Sequence, residues 1–187
     1  MIPQILQKND PLLRKKAAEV PITDIGSRKI QIILRRMAAA LQTQDDGVAI
    51  AAPQIGVSLR IFLVAKAALK MPENVEERKK IANRKELKKE AGYLPFINPV
   101  ITKLSREKVV LDEGCLSVRP LYGKIRRSLK ASIKAYDEHG KLFERGASGL
   151  LAQIFQHETD HLEGVLFIDK ATDLREMPVA DELGSRN

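Results

Sequence analysis

The sequence has no tryptophan and few other aromatic residues. Five Phe and three Tyr occur among 187 residues, although 44% of the chain is apolar. A core of normal size must therefore be built mainly from Ile, Leu, Val and Ala. No run of about 18 apolar residues occurs, which argues against a membrane-spanning helix. The first residues also lack the long apolar region of a signal peptide, so we expect a cytoplasmic protein.

The chain has a single cysteine and an excess of positive charge. Because Cys115 is alone, no intramolecular disulfide can form, which is typical of a reducing compartment. The net charge of +8 favours an anionic neighbour such as the ribosome, or it serves solubility alone. No RNA-binding motif or aromatic platform accompanies the charge, so we expect no specific nucleic acid and no membrane partner.

Hydrophobic spacing predicts one α+β domain over residues 1–187. Apolar residues at helical intervals predict a helix at 24–44, capped by Asp24 or Ser27. Short β-type runs follow, and two of them form a predicted hairpin that turns at 138–140. A second helix is expected to open at Ser148 and to close at Gly164. Strands followed by a late helix favour an α+β fold over alternating βαβ units.

Two segments differ in composition from the rest of this domain. Residues 66–93 hold nine Lys/Arg and five Asp/Glu, which predicts a charged surface insertion. The residues from about 172 to 187 are expected to form a polar tail. Neither segment contributes a candidate site residue.

The second predicted helix carries the sequence HETDH, an HExxH motif from His157 to His161. Residues four apart lie on one face of a helix, so both imidazoles can point at one metal ion. Glu158 lies beside the first ligand and can take a proton from water that the metal activates. A chance HExxH in a surface helix is the alternative, but this helix is apolar around most of its circumference. Two histidines in such a buried helix favour metal ligation.

A catalytic metal site needs a third protein ligand from elsewhere in the chain. Glu163 is close in sequence but lies well around the helix from both histidines. A glutamate on a later helix, as in thermolysin-like peptidases, has only a short stretch of chain in which to occur. Cys115 is the other candidate, although a lone cysteine is also often just a small buried apolar residue.

Three segments together resemble the motifs of the peptide deformylase family. They are GVAIAAPQ at 47–54, EGCLS at 113–117 and QHETDH at 156–161, in the family's order and at sensible spacings. The opening NDPLLRKKA and the closing HLEGVLFID are also similar to family sequence. The resemblance therefore covers most of the chain outside 66–93 and the tail.

The resemblance implies a reaction, a metal and a fold. The family removes the formyl group from the initiator methionine of nascent polypeptides, in the cytoplasm or in an organelle of bacterial type. Its single divalent metal, usually Fe²⁺ but also Zn²⁺, Ni²⁺ or Co²⁺, would be held here by Cys115, His157 and His161. The implied fold is α+β, with mixed or antiparallel sheets packed around a central HExxH helix.

The resemblance also implies a role for each remaining motif residue. Glu158 would move the proton, and the Gln54 amide and the Leu116 N–H would stabilise the oxyanion. The substrate would add as a strand beside Val48–Ile50. The substrate contacts expected around the scissile bond and the methionine come from Val48, Ala49, Ile50, Gly114 and Ile154, with Phe155 near enough in sequence to contribute.

Two positions depart from the family pattern, and one further residue is a candidate support. Ala49 stands where the family has a second glycine, and Arg119 intervenes before Pro120, so the substrate rim is expected to differ. Arg127 could pair with Asp160 behind the metal helix, or it could be an ordinary surface arginine.

Three other functional hypotheses remain open from the sequence. An HExxH zinc peptidase would cleave internal peptide bonds and would use a third ligand other than Cys115. A catalytically weak, deformylase-like binding protein would hold metal without turnover. A nucleic-acid-binding module would explain the charge but not the three motifs.

Overall fold

A computed structural model describes residues 2–70 and 92–176 of the protein. Two α-helices and eight β-strands account for most of this part of the chain. The helices are α1 (Arg28–Gln42) and α2 (Gly149–Leu162). The strands are β1 (Ala49–Ala51), β2 (Ile61–Ala65), β3 (Tyr93–Leu104), β4 (Lys108–Gly114), β5 (Leu121–Ser128), β6 (Lys130–Tyr136), β7 (Leu142–Ser148) and β8 (Thr172–Glu176).

The strands form two antiparallel sheets. The larger sheet has the order β1-β2-β3-β6-β7, and the smaller has the order β4-β5-β8. Helix α2 contacts strands of both sheets, including β1 and β6 of the larger and β5 of the smaller. The predicted α+β class with antiparallel sheets is confirmed. Neither helix is long or apolar enough to cross a bilayer within the described residues.

The larger sheet is buried on both faces because its inner strands carry apolar residues at consecutive positions. Along β2, Phe62 and Val64 join the cluster under α2, whereas Ile61 and Leu63 join the cluster under α1. Successive strand side chains point to opposite faces, so one short apolar run serves both helices. The two helices therefore pack on opposite faces of this sheet.

Helix α1 follows the predicted pattern closely. The Ser27 side chain accepts a hydrogen bond from the Ile30 N–H and caps the first turn. Its apolar stripe is buried throughout, at Ile30, Ile33, Leu34, Met37 and Leu41. The predicted hairpin is also present, since β6 pairs with β7 across a turn in which the Asp137 carboxylate accepts from the His139 and Lys141 N–H groups.

The two segments of unusual composition fall mostly outside the described residues. The charged insertion predicted at 66–93 is described only at its ends, where Lys66–Lys70 forms a 3₁₀ helix and Tyr93 opens β3. The predicted polar tail begins with the exposed strand β8, which pairs with β5, and residues 177–187 lie outside the described part.

Four of the five phenylalanines meet in the core under α2. The ring of Phe96 stacks on Phe62 at 4.6 Å between centroids and meets Phe143 and Phe155 edge-on at 5.3 and 5.2 Å. The core is thus less purely aliphatic at its centre than the composition suggests. Such ring pairs add about 0.5–1.5 kcal/mol each beyond the area they bury.

We expect Phe96→Ala to lower the free energy of unfolding by about 3–5 kcal/mol, since it leaves a cavity among three other rings. Chemical denaturation at fixed metal content measures this change. Val110→Ala is the control, because the Val110 side chain is 64% exposed and its loss should cost less than about 0.5 kcal/mol. Equal effects of the two substitutions would contradict a core organised around Phe96.

Candidate metal centre

Cys115, His157 and His161 come together in the fold, and the first two line a cleft. Cys115 directly follows β4, and the two histidines lie one turn apart on α2. One ligand atom from each residue lies within 4.8 Å of the other two, and Cys115 Sγ is 3.2 Å from His161 Nε2. The structure thus brings together the cysteine and both histidines that the sequence singled out.

The other candidate third ligand, Glu163, belongs to a different cluster. Its carboxylate pairs with Arg60 at 2.5 Å and with Lys16 at 3.0 Å. These cations hold the pKa of Glu163 below its usual value, although burial acts in the opposite direction. The peptidase hypothesis required a third ligand other than Cys115, and this geometry is against it.

Two glutamines on α2 fix the helix against the smaller sheet. Gln153 Nε2 donates to the Asp112 carbonyl of β4 at 3.0 Å. Gln156 exchanges two hydrogen bonds with the backbone of Ser128 on β5, at 2.9 and 3.0 Å. These buried amides satisfy backbone groups that would otherwise lack partners. They also set the position of α2 relative to β4, and therefore of the histidines relative to Cys115.

A buried carboxylate orients the first histidine. Glu113 Oε1 lies 2.6 Å from His157 Nδ1, which leaves Nε2 as the nitrogen available to a metal. Arg127 binds the same carboxylate with Nε at 3.1 Å and Nη2 at 2.6 Å, in a bidentate pair. Burial alone raises the pKa of Glu113, but His157 and Arg127 outweigh it and lower that pKa to about 2.

Arg127 extends this network to the second histidine's side of the helix. Its Nη1 donates to Asp160 Oδ2 at 2.6 Å, and Lys170 Nζ holds the other oxygen of Asp160 at 2.7 Å. The predicted pair between Arg127 and Asp160 is confirmed. The sequence reasoning missed Glu113, although it lies two residues before Cys115 at the end of a strand. Side chains two residues apart in a strand point to the same face, so this spacing from Cys115 could have indicated Glu113 from the sequence.

Glu158 is buried next to His157, one of the three candidate metal ligands. Its side chain lines the cleft, and its Oε2 has no hydrogen-bond partner among the described residues. Burial raises the pKa of this carboxyl to about 7, and the charge of Glu113 adds to the rise while His157 opposes it. A carboxyl group with a pKa near neutrality can both accept and donate a proton.

The two imidazoles differ in their affinity for protons. Burial and the neighbouring charge of His157 lower the pKa of His161, so His161 is neutral, as a metal ligand must be. Burial also acts to lower the pKa of His157, but Glu113 and Cys115 raise it well above its usual value. A proton and a cation compete for His157 Nε2, so metal binding at this site releases a proton.

The donor set fits one divalent metal ion. A thiolate and two imidazoles suit Fe²⁺ or Zn²⁺, and three protein ligands leave a coordination position open to substrate. Glu158 lines the same cleft, and its buried Oε2 has no hydrogen-bond partner within the described part of the chain, as expected of an atom that serves a bound ligand. The chain therefore has the residues for a single divalent ion.

Most of the residues predicted to bind substrate line the same cleft as Cys115 and His157. Val48, Ala49 and Ile154 form part of its wall, together with Gly114 and Leu116. A methyl group on Gly114 would lie 2.4 Å from the Tyr122 ring, so any other residue there would require that ring to move. Two of the predicted residues face elsewhere: the side chains of Ile50 and Phe155 are fully buried in the two core clusters.

Gln54 is held in one orientation at the end of β1. Its Oε1 accepts from the Ala51 N–H at 2.8 Å, and its Nε2 donates to Ser117 Oγ at 3.0 Å and lies 3.6 Å from Cys115 Sγ. Because the atom beside the Ala51 N–H must be an acceptor, it is the amide oxygen of Gln54, and the NH₂ group is at the other end. That NH₂ group points toward Cys115. Ser117 was not predicted, and it follows Cys115 by two residues.

We expect Glu113→Gln to weaken metal affinity about 10- to 100-fold, because the substitution removes the charge that orients His157 and one of the two carboxylates that bind Arg127. Competition with a chelator measures the dissociation constant. Asp112→Asn is the matched control on the same strand, since the Asp112 carboxylate pairs with Arg175 and not with a histidine. Cys115→Ala gives the reference for loss of a ligand. Wild-type affinity in Glu113→Gln would contradict an orienting role.

Comparison with known proteins identifies the family. The family model described as polypeptide deformylase matches residues 2–177. Peptide deformylase 1A of Arabidopsis thaliana, described as chloroplastic/mitochondrial, is 38% identical over 173 residues, which are 90% of this chain and 61% of that protein. Peptide deformylase of Thermomicrobium roseum is 38% identical over 182 residues, covering 95% of this chain and 92% of that protein.

A solved structure gives the same result. The class I type b peptide deformylase of Acinetobacter baumannii, described with Met-Ala-Ser bound, superposes with a TM-score of 0.76 at 28% identity, over 91% of this chain and 98% of that one. The chain spans about three-fifths of the length of the two plant relatives, at 61% and 59%, and nearly all of the bacterial ones. The sequence match, the shared fold and the Cys-His-His cluster agree, and the chain belongs to the polypeptide deformylase family.

Proposed function

We propose that this protein hydrolyses the N-formyl group from the initiator methionine of nascent polypeptides. One observation carries the proposal: Cys115, His157 and His161 come together next to Glu158, whose buried Oε2 has no hydrogen-bond partner among the described residues, and Cys115, His157 and Glu158 line one open cleft. Family membership supports the same reaction, and the relative described with Met-Ala-Ser bound holds a peptide that begins with the expected methionine. The products would be formate and a free amino terminus.

The substrate peptide binds, on this proposal, as an added strand on the edge of the larger sheet. Among the described strands, β1 is the end of that sheet. The Val48 carbonyl accepts a hydrogen bond from the Ala65 N–H, so the backbone of Val48 faces β2. Backbone groups of successive strand residues point in opposite directions, so the N–H and carbonyl of Ala49 face the open edge. An extended peptide can pair there, with its methionine side chain against Ile154.

Each proposed catalytic group has a defined task around the formyl carbon. When bound, a divalent ion supplies Lewis acidity that activates water and polarises the formyl oxygen. The Gln54 amide and the Leu116 N–H donate to that oxygen as it gains negative charge. Glu158 accepts the proton of the attacking water and delivers it to the methionine nitrogen as the carbon–nitrogen bond breaks.

The metal ligands of this proposal are Cys115, His157 and His161, and the native ion is Fe²⁺. The thiolate is a soft donor that suits Fe²⁺, and the same three ligands also accept Zn²⁺, Ni²⁺ or Co²⁺. This choice of metal rests on the resemblance to the family and on the donor set. Anaerobic purification with metal analysis identifies the ion.

The cellular setting is also part of the proposal. We place the protein in the cytoplasm, or in an organelle of bacterial type, where formylated chains are made. We assign it one catalytic domain over 1–187, with a charged insertion at 66–93. Its net charge of +8 supports approach to the ribosome, whose surface is anionic. Co-sedimentation with ribosomes at two salt concentrations tests this association.

We expect Glu158→Ala to keep its metal and to lose about 10²–10⁴-fold in turnover, because the proton carrier is gone. The assay is formate release from formyl-Met-Ala-Ser with Fe²⁺ under anaerobic conditions. His139→Ala, in an exposed turn, is the control. Turnover within a few-fold of wild type, at equal metal content, would refute this role of Glu158.

The same assay on wild type tests the function itself. Release of formate with no cleavage of internal bonds is the expected result. Internal cleavage would favour the peptidase hypothesis, and a metal-loaded protein that releases no formate would favour the binding protein.

We expect Gln54→Leu to lower kcat by about 10²–10³-fold and to change KM much less, since the lost donor acts on charge that develops in the transition state. Because Gln54 also lies beside Cys115, metal content must be matched before steady-state kinetics are compared. A raised KM with unchanged kcat would mean that Gln54 binds the ground state instead.

A further inference from the structure

An ion pair bridges the two sides of the cleft rim. Arg119 Nη2 contacts Asp46 Oδ1 directly, and the Tyr122 hydroxyl donates to Asp46 Oδ2 at 3.3 Å. All three residues line the same cleft as Cys115 and His157. The Arg119 and Asp46 side chains remain 30% and 37% exposed, so substrate can reach both charges. The pair joins the loop before β1 to the loop after Cys115.

Arg119 is the single Lys or Arg among the described residues that line this cleft, which also has four carboxylates. Two of these carboxylates are balanced from outside the cleft, Glu113 by Arg127 and Asp112 by Arg175. Glu158 is buried at the floor. The charges that a passing peptide meets on the side of the cleft next to β1 are therefore those of Arg119 and Asp46.

The direction of the peptide brings its later residues to this rim. On the proposed function, the formyl group lies between Gln54 and Cys115, at the end of β1 that Ala51 terminates. A peptide that pairs with the edge of β1 then runs back past Ala49 toward Asp46. Each residue advances an extended chain by about 3.3 Å, so the second and third residues lie beside the ion pair.

We propose that Arg119 and Asp46 determine specificity for the charge of the second and third residues of the formylated peptide. A carboxylate there competes with Asp46 for Arg119, whereas an ammonium group competes with Arg119 for Asp46. Because both charges are partly exposed, the pair can open without leaving a buried charge behind. The inference rests on the proposed function. It adds a selectivity for peptide charge that Cys115, His157 and His161 do not supply.

The test compares two single substitutions that remove opposite charges. The substrates are formyl-Met-Ala-Asp, formyl-Met-Ala-Lys and neutral formyl-Met-Ala-Ser, all amidated at the C-terminus. Arg119→Gln should lower the ratio of kcat/KM for the Asp peptide over the Lys peptide by about 3- to 10-fold, the size expected for partly hydrated charges. Asp46→Asn should raise the same ratio by a similar factor. Both shifts should shrink at high ionic strength.

A merely structural role for the ion pair predicts a different result. Both substitutions break the same pair, so a loss of rim structure would lower kcat/KM for all three peptides alike and leave the ratio unchanged, which would overturn the proposal. Arg14→Gln is the control, because it removes an equal charge from an exposed pair with Asp169, away from the residues that line the cleft. Wild-type turnover of the neutral peptide separates failure of this inference from failure of the proposed function.

Discussion

The buried contact of Glu113 with Arg127 and His157 is the interaction on which the metal centre depends. It joins the ends of β4 and β5 and helix α2 at one point, with three side chains that are nearly excluded from solvent. Removing one partner from a buried pair typically costs about 3–5 kcal/mol, because the remaining charge has no partner. The arrangement is therefore stable only when both sheets and the helix are in place together.

The packing of the two sheets makes that arrangement available. Consecutive apolar residues along β2 hold α1 on one face of the larger sheet and α2 on the other. Polar contacts attach the smaller sheet to α2, because Gln153 and Gln156 on that helix bind backbone groups of β4 and β5. Directional hydrogen bonds define a position more narrowly than apolar contact does, which suits a site that needs ligand atoms within a few ångströms.

Two buried carboxyl groups of the site have opposite net pKa shifts, although burial raises the pKa of both. Glu113 lies against a guanidinium and an imidazole, and its pKa falls to about 2. Glu158, one residue from His157, has no such partner at Oε2 within the ranges 2–70 and 92–176, and burial raises its pKa to about 7. One carboxylate is thus fixed as a permanent charge, and the other is able to exchange protons.

The sequence by itself determined the local elements and the chemistry of the metal ligands. Helical spacing from Ile30 to Leu41 located α1, and the four-residue interval between His157 and His161 placed both on one helix face. These signals are local, since they depend on the 3.6-residue period of a helix and on capping. The three motifs also identified the family, because their order along the chain is a property of sequence alone.

Only the tertiary structure decided which distant groups meet. The choice of Cys115 over Glu163 depends on where β4 ends relative to α2. The role of Glu113 depends on a side-chain contact with Arg127, which lies on β5 four positions from Gly123, the residue paired with Glu113. The alternation of β1 and the packing of the phenylalanine rings direct the side chains of Ile50 and Phe155 into the core, and the contact of substrate with the backbone at Val48–Ile50 stays a prediction. Contacts between residues far apart in sequence follow from how sheets and helices pack, and local periodicity carries no information about that packing.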